Sequence, residues 1–255
     1  MYRAGKKLKE WDLRPAPFPI DEILPPEDLR HVKRLYGIGG LSYGNLSVRK
    51  DEKRFWMSAS GVDKANLREI GRDILMVKDY DPERNAILLS VPPHVEPRRV
   101  SVDAIEHWMI YREHPEVGAI LHVHAWMEGV PATAFNYPCG TYELAQAVAE
   151  KVREAPDPAR AVVGLKNHGL TITGRSLDEI LERIEGKLIR TVPELISQAK
   201  RAPGKLAFGS NGNGTGQHLI GAQFEAMAGV QLLHVPYKGS GPMATDLLGG
   251  QITMS

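Results

Sequence analysis

Residues 117–124 read Val-Gly-Ala-Ile-Leu-His-Val-His, an apolar run that is short for a helix and bounded by Pro115, so they read as a buried-type strand. What surrounds this strand has a different period. Val102, Ile105, Met109 and Ile110 recur at helical spacing, which predicts a helix over 102–113 closed by Pro115. Further helices are expected over 125–134 and 141–153, and over 177–188 with Ser176 as N-cap. Strands are expected over 46–49, 55–58, 73–77, 86–89, 161–166 and 170–173, with the turn-rich Asp79-Tyr80-Asp81-Pro82 between the third and fourth. Alternating strands and helices call for an α/β architecture.

That buried-type strand also carries the first chemical signal. His122 and His124 are two residues apart, so in a strand their side chains point to one face. His168 falls in the turn Asn167-His168-Gly169 between two expected strands, where a third imidazole can approach. Three neutral imidazoles suit zinc or another divalent ion, and a fourth position left open makes such a site catalytic. The competing reading is three scattered hydrogen-bonding histidines, because a His-x-His pair is short and common. Asp103 and His107 stand at i and i+4 on the expected helix and share a face. Asp103 there is a general base, a fourth ligand, or an ion-pair partner of His107. His31, His94 and His114 have no supporting partner in the sequence and are read as surface or structural.

The rest of the composition mainly excludes. A formal charge of +1 gives no electrostatic case for a nucleic acid or a membrane as partner. Cys139 is the one cysteine, so no intrachain disulfide is available. Residues 1–11 are basic without an apolar core segment, and no run reaches the roughly 18 apolar residues of a membrane span, so a cytoplasmic protein is expected. Residues 1–23 read as an N-terminal arm, rich in proline and poor in periodicity. A helix is then expected from Pro26 to about Tyr36, stopped by Gly37, Gly39 and Gly40.

Five motifs follow one another in order: Gly44-Asn45-Leu46-Ser47-Val48-Arg49, Ser58-Ala59-Ser60-Gly61, Ser101-Val102-Asp103, His122-Val123-His124-Ala125 and Asn167-His168-Gly169-Leu170. With these, residues 24–190 resemble the class II aldolase/adducin family. The resemblance implies an α/β, three-layer α/β/α fold with a central, mainly antiparallel sheet, and a homotetramer with sites between subunits. It implies a metal, Zn2+ or another divalent ion, on His122, His124 and His168, and an acid/base carboxylate at Asp103. It places a substrate phosphate on Gly44, Asn45, Ser60, Gly61 and Ser101. Members act as lyases or epimerases through a metal-stabilised enediolate. Two departures bear on the substrate. Aspartate stands at 103 where glutamate is usual, as it also does in the ribulose-phosphate 4-epimerases of the family, and Val102 stands where a second serine often holds phosphate. Arg98 and Arg99, just upstream, are an alternative anion contact, and a carboxylate or an unphosphorylated polyol remains open as substrate.

After about Ile189 the punctuation changes, with glycine-rich groups at 204–216 and 239–250. The order strand (205–208), helix (219–228), strand (232–235), helix (242–248) gives a short α/β pattern. The last strand-like start, at 251–254, suggests truncation. Lys205-Leu206-Ala207-Phe208-Gly209-Ser210, His234-Val235-Pro236-Tyr237-Lys238-Gly239 and Asp246-Leu247-Leu248-Gly249-Gly250-Gln251 carry a second resemblance. Residues 191–255 are similar to part of the tripartite tricarboxylate transporter receptors, two-lobed proteins that grip small carboxylates. The chain thus reads as a fusion of an aldolase-like region and a truncated solute-binding segment. The expected function is a metal-dependent lyase or epimerase on a small sugar phosphate or hydroxy-carbonyl compound. The alternatives are a non-catalytic interaction protein of adducin type, a carboxylate-binding module, and a fusion whose replaced tail impairs catalysis.

Overall fold

The computed structural model describes residues 1–11, 25–27, 30, 44–96, 98–135, 137–166, 168–189, 192–248 and 251–255. Most of the helix expected after Pro26, with its glycine stop, lies outside the described residues.

Seven strands form one sheet: β1 (Asn45–Arg49), β2 (Phe55–Ser58), β3 (Ile74–Asp81), β4 (Ala86–Ser90), β5 (Ala119–Val123), β6 (Val162–Leu165) and β7 (Gly169–Gly174). Their order is β4-β3-β2-β1-β5-β7-β6, and every pairing is antiparallel. Both faces are covered. Leu46, Leu121, Leu170 and Ile172 meet Ala4 and Leu8 of α1 (Tyr2–Glu10) on one side. Ile120, Met57 and Val163 meet Ile110 and Val148 on the other, from α2 (Ala104–Glu113) and α3 (Tyr142–Glu154). Alternation along β5 sends Leu121 and Val123 to the first core and Ile120 to the second. A sheet buried on both faces needs a helical layer on each, which is the expected α/β/α arrangement.

Helix ends follow the local chemistry. Thr141 caps α3 by accepting from Leu144 N, and Ser176 caps α4 (Leu177–Ile184) by accepting from Glu179 N. α4 stops earlier than expected, and Gly186 follows with φ 70°.

Other expectations change more. The arm at the N-terminus begins as α1, whose Ala4 and Leu8 are buried. Gly5 permits this, because a Cβ there would stand 1.5 Å from the Lys64 carbonyl oxygen. No helix forms over 125–134: Gly129 takes φ 71°, Pro131 follows, and the segment is tied by bridges Trp126 to Ile189 and Ala132 to Gly164. β3 runs on through Asp79-Tyr80-Asp81 after a register shift between Val77 and Asp79. Its turn comes later, where Asp81 Oδ1 accepts from Glu83 N and Arg84 N. Val102 precedes α2 and is 63% exposed rather than part of its apolar face.

The chain after residue 190 begins with α5 (Val192–Arg201), a helix not anticipated from the sequence. β8 (Ala207–Ser210) and β9 (Leu233–Pro236) then pair in parallel, with α6 (Gly216–Ala228) between them in sequence and α7 (Ser240–Leu248) after. The expected strand at 251–254 contributes one bridge, Met254 to Phe208. Cores here are small: Ala199, Leu206 and Val230 in one, Ala207, Met243 and Ile252 in the other. Among the described residues, no helix is long and apolar enough to cross a membrane.

Candidate metal centre

One face of the sheet carries polar residues at its centre. Asn45 of β1 lies directly opposite His122 of β5, which lies opposite Thr171 of β7. Directly opposed residues in an antiparallel pair share a face, so Asn45, His122 and Thr171 form one row. α2 lies over it and presents Asp103, Glu106 and His107, spaced i, i+3 and i+4.

At the end of this row three imidazoles converge. The ligand-capable atoms of His122, His124 and His168 all lie within 4.8 Å of one another. His122 Nε2 and His168 Nε2 are 3.0 Å apart. The backbones that carry them are close enough that glycine is required. A Cβ on Gly44 (φ 78°) would stand 2.3 Å from the His122 carbonyl oxygen, and one on Gly169 would stand 2.2 Å from that of Val123.

Burial keeps the three rings uncharged. Burial, then the neighbouring rings His124, His168 and His107, holds His122 well below the usual histidine range. Burial, His168 and Lys64 push His124 down to about 4. Burial also lowers His168, against the opposing pull of the Asp103 charge. Neutral imidazoles are the form that ligates metal. Zinc–nitrogen bonds of about 2.0–2.1 Å in a tetrahedral set put ligand nitrogens roughly 3.3 Å apart, close to the 3.0 Å between His122 and His168. The donor set and its spacing fit a divalent ion of zinc type.

Asp103 sits at the N-cap position of α2 and is 6% exposed. Its Oδ2 accepts from Asn45 Nδ2 at 2.6 Å and from Ser101 Oγ at 3.1 Å, and Asn45 Nδ2 also reaches Ser101 Oγ at 3.1 Å. Its Oδ1 is buried with no hydrogen-bond partner. Three of the residues expected in the site, Asn45, Ser101 and Asp103, are therefore one hydrogen-bonded unit beside the imidazoles. Ser60 is exposed and tied to the same edge, with its N–H donating to the Arg99 carbonyl at 2.8 Å. Gly61 is exposed, with φ 69°, and no hydrogen bond joins it to the histidines. Arg98 and Arg99 are exposed.

His107 shares a face with Asp103 but does not pair with it. Its Nδ1 lies 2.7 Å from Ser47 Oγ, which also contacts the Tyr111 hydroxyl at 2.9 Å. Burial alone lowers His107 to about 3. His114 is structural: it is buried, and its carbonyl accepts from Arg49 at 2.8 Å.

Sequence reasoning passed over three residues here. Lys64 is 3% exposed and lowered to about 8 by burial, with Asp63 and Asp103 opposing. Glu106 is 1% exposed, accepts from Thr171 Oγ1 at 2.5 Å, and is raised to about 8 by burial and then by the Asp103 charge. Cys139 places its Sγ 3.0 Å from His168 Nδ1. Glu106 could have been found from the i+3 spacing to Asp103 on a helix with apolar neighbours. Lys64 and Cys139 stand in turns with no periodicity to read.

A crevice of about 260 Å³ lined by Trp11, Leu188, Gln198 and Arg201 lies where α4 and α5 approach, away from this cluster.

The fold has counterparts among known proteins. Residues 30–128 match the class II aldolase and adducin N-terminal domain. Residues 185–255 match the tripartite tricarboxylate transporter family receptor. A methylthioribulose-1-phosphate dehydratase of Klebsiella pneumoniae (strain 342) is 26% identical over 174 residues, covering 56% of this chain and 79% of that protein. An L-fuculose 1-phosphate aldolase of known structure superposes with a TM-score of 0.50 at 20% identity, covering 78% of this chain and 84% of that one. It shares the fold. The second region matches a UPF0065 protein in the tcbD-tcbE intergenic region of Pseudomonas sp. (strain P51), at 48% identity over 65 residues. That match covers 26% of this chain but 19% of the relative, so the chain spans about a fifth of that protein's length.

Proposed function

We propose that the aldolase-type region is a divalent-metal-dependent lyase for a small phosphorylated ketose. The observation that carries this reading is the convergence of three neutral imidazoles beside a buried carboxylate with one oxygen held and the other unpartnered. His122, His124 and His168 would hold the ion. When bound, it supplies a Lewis acid that polarises a carbonyl and stabilises developing negative charge.

The chain's own residues do the remaining work. Asn45 and Ser101 donate to Asp103 Oδ2, which fixes the carboxylate and leaves Oδ1 to take and return a proton. The carboxylate has little water around it, so proton transfer there is not short-circuited by solvent. Gly44, Asn45, Ser60, Gly61 and Ser101 would bind substrate, and Lys64 adds a cation whose field reaches Asp103 and His124. Similarity to a methylthioribulose-1-phosphate dehydratase favours a ketose 1-phosphate and an elimination. The domain division at about residue 190, a homotetramer and a cytoplasmic setting belong to the same proposal.

The test is Asp103→Asn, assayed for bound zinc and for turnover of methylthioribulose 1-phosphate and L-fuculose 1-phosphate. A proton-carrying Asp103 predicts full zinc content and loss of turnover by roughly 100-fold or more. Loss of zinc would make Asp103 a ligand, and unchanged turnover would remove its role.

A further inference from the structure

Among the described residues, Lys64 is the one lysine or arginine that is buried, with 3% of its surface exposed. A charge inside a protein is costly to keep, and such groups concentrate where the charge has work to do. The charge of Lys64 is felt from two walls of the candidate site. Asp103, at the start of α2, interacts with it, as does Asp63 beside it in the chain. His124, which follows β5, interacts with it too. The ammonium therefore borders the space between the carboxylate that would carry the proton and the imidazoles that would hold the ion. It does not occupy the free oxygen of that carboxylate, because Asp103 Oδ1 has no hydrogen-bond partner.

The loop that carries Lys64 is pinned on both sides. Ala59 bridges to Val100, and Ser60 N donates to the Arg99 carbonyl at 2.8 Å, which fixes the start of the loop against the residues leading into Ser101. Asp63 Oδ1 accepts from Ala65 N at 3.0 Å and opens a 3-10 turn over Lys64–Asn66. On the other side lies α1. Val62 and Leu67 share a core with its Ala4 and Leu8, and Gly5 brings the helix up to the Lys64 carbonyl itself. Lys64 is thus a long side chain fixed at its base, on the same loop as Ser60 and Gly61.

We propose that Lys64 is a substrate-binding residue whose ammonium receives the substrate's phosphate and makes an anionic group a condition for binding. The inference rests on the reading of this site as one for a phosphorylated ketose. The hydroxyls and backbone N–H groups of Gly44, Ser60, Gly61 and Ser101 can donate to phosphate oxygens, but they carry no charge. A phosphate brings roughly two negative charges to a place that already holds the buried Asp103 carboxylate. Lys64 offsets that repulsion, and in a site with little water its N–H groups make charge-assisted hydrogen bonds to phosphate.

The test is calorimetric titration of inorganic phosphate into zinc-loaded wild type, Lys64→Met and Lys53→Met, with zinc content and an unfolding curve for each. Methionine keeps a long stem without the charge. Lys53 is exposed between β1 and β2, so its variant removes the same charge from elsewhere on the chain. Lys64→Met should bind phosphate roughly 10- to 100-fold more weakly, the cost of one charge-assisted hydrogen bond, with unchanged zinc content and no loss of stability. Lys53→Met should bind phosphate as the wild type does. Equal affinity in Lys64→Met and wild type would overturn the inference, as would equal weakening in the two variants or a wild type that binds no phosphate at millimolar concentration. Loss of zinc from Lys64→Met would overturn it too, because the residue would then act on the ion site. Should the wild type take up no zinc, the metal reading falls and the same titration of the metal-free chain decides on Lys64. A wild type that binds phosphate through Lys64 but turns over neither ketose phosphate would remove the lyase reading and leave this inference standing.

Discussion

Glu106→Gln is expected to change how stability depends on pH, and in one direction only. Glu106 is fully buried between α2 and the sheet, with Oε1 held by Thr171 and Oε2 buried without a hydrogen-bond partner. Burial and the Asp103 charge raise it from the ordinary 4.5 to about 8. Between those two values the native chain keeps a proton that the unfolded chain releases. The contribution to stability is therefore fully present below about pH 4.5 and is lost as pH rises through about 8. One proton corresponds to about 1.4 kcal/mol per pH unit, so the loss between pH 6.5 and 8 is on the order of 2 kcal/mol. That is a sizeable part of the roughly 5–15 kcal/mol that holds a domain folded. His107, lowered to about 3, and His124, lowered to about 4, act with the opposite sign: their contributions are present above about 6.5 and lost as pH falls. They are common to both proteins and cancel in the difference. Glutamine keeps the shape, cannot ionise, and should remove the alkaline loss. Urea unfolding of metal-free wild type and variant at pH 5, 6.5 and 8 measures it. The stability difference should grow in the variant's favour from pH 6.5 to 8. A difference that stays flat would mean Glu106 ionises in the ordinary carboxyl range, which would refute the reasoning.

Lys64 is lowered from 10.5 to about 8, so near neutral pH it carries a charge in a buried position; its stabilising contribution is present above about 10.5 and lost as pH falls through 8. Lys64→Met should thus stabilise the fold at pH 7 by on the order of 3 kcal/mol, with the gain fading above pH 10; equal urea midpoints at pH 7 would contradict this. Gly5→Ala should loosen α1 even though alanine favours helix by roughly 1 kcal/mol, because its Cβ would meet the Lys64 carbonyl oxygen. Faster amide exchange over residues 2–10 is the readout, and unchanged protection would refute the close approach. Asn45→Ala leaves a buried carboxylate oxygen short of its best donor, at a cost of about 1.5–3 kcal/mol, read as a lower unfolding midpoint; a midpoint equal to wild type would show that Ser101 alone suffices.

Much of this arrangement could be read from the chain because it depends on period. The two-residue spacing of His122 and His124 and the helical spacing of Asp103 and His107 place side chains on faces without any tertiary information. What period cannot give is depth. Glu106 and Lys64 are ionisable residues of types usually found in water, and only the packing of α2 and α1 shows that they are buried. His107 shares Asp103's face, yet its bond goes down to Ser47 on the sheet. The 125–134 segment has helix-compatible residues, but Gly129 and Pro131 win locally and the backbone bonds go to Ile189 and Gly164 instead. α1 was hidden by the proline-rich stretch that follows it, and its basic residues mask two buried positions, Ala4 and Leu8.

The central claim is that His122, His124 and His168 form one divalent-metal site. Plasma emission analysis of protein purified without chelator, alongside His122→Ala and His168→Ala, tests it most directly. The account predicts about one zinc or similar ion per chain in the wild type and little in either variant, each still folded by circular dichroism. A wild type free of stoichiometric metal, or variants that retain it, would contradict the account.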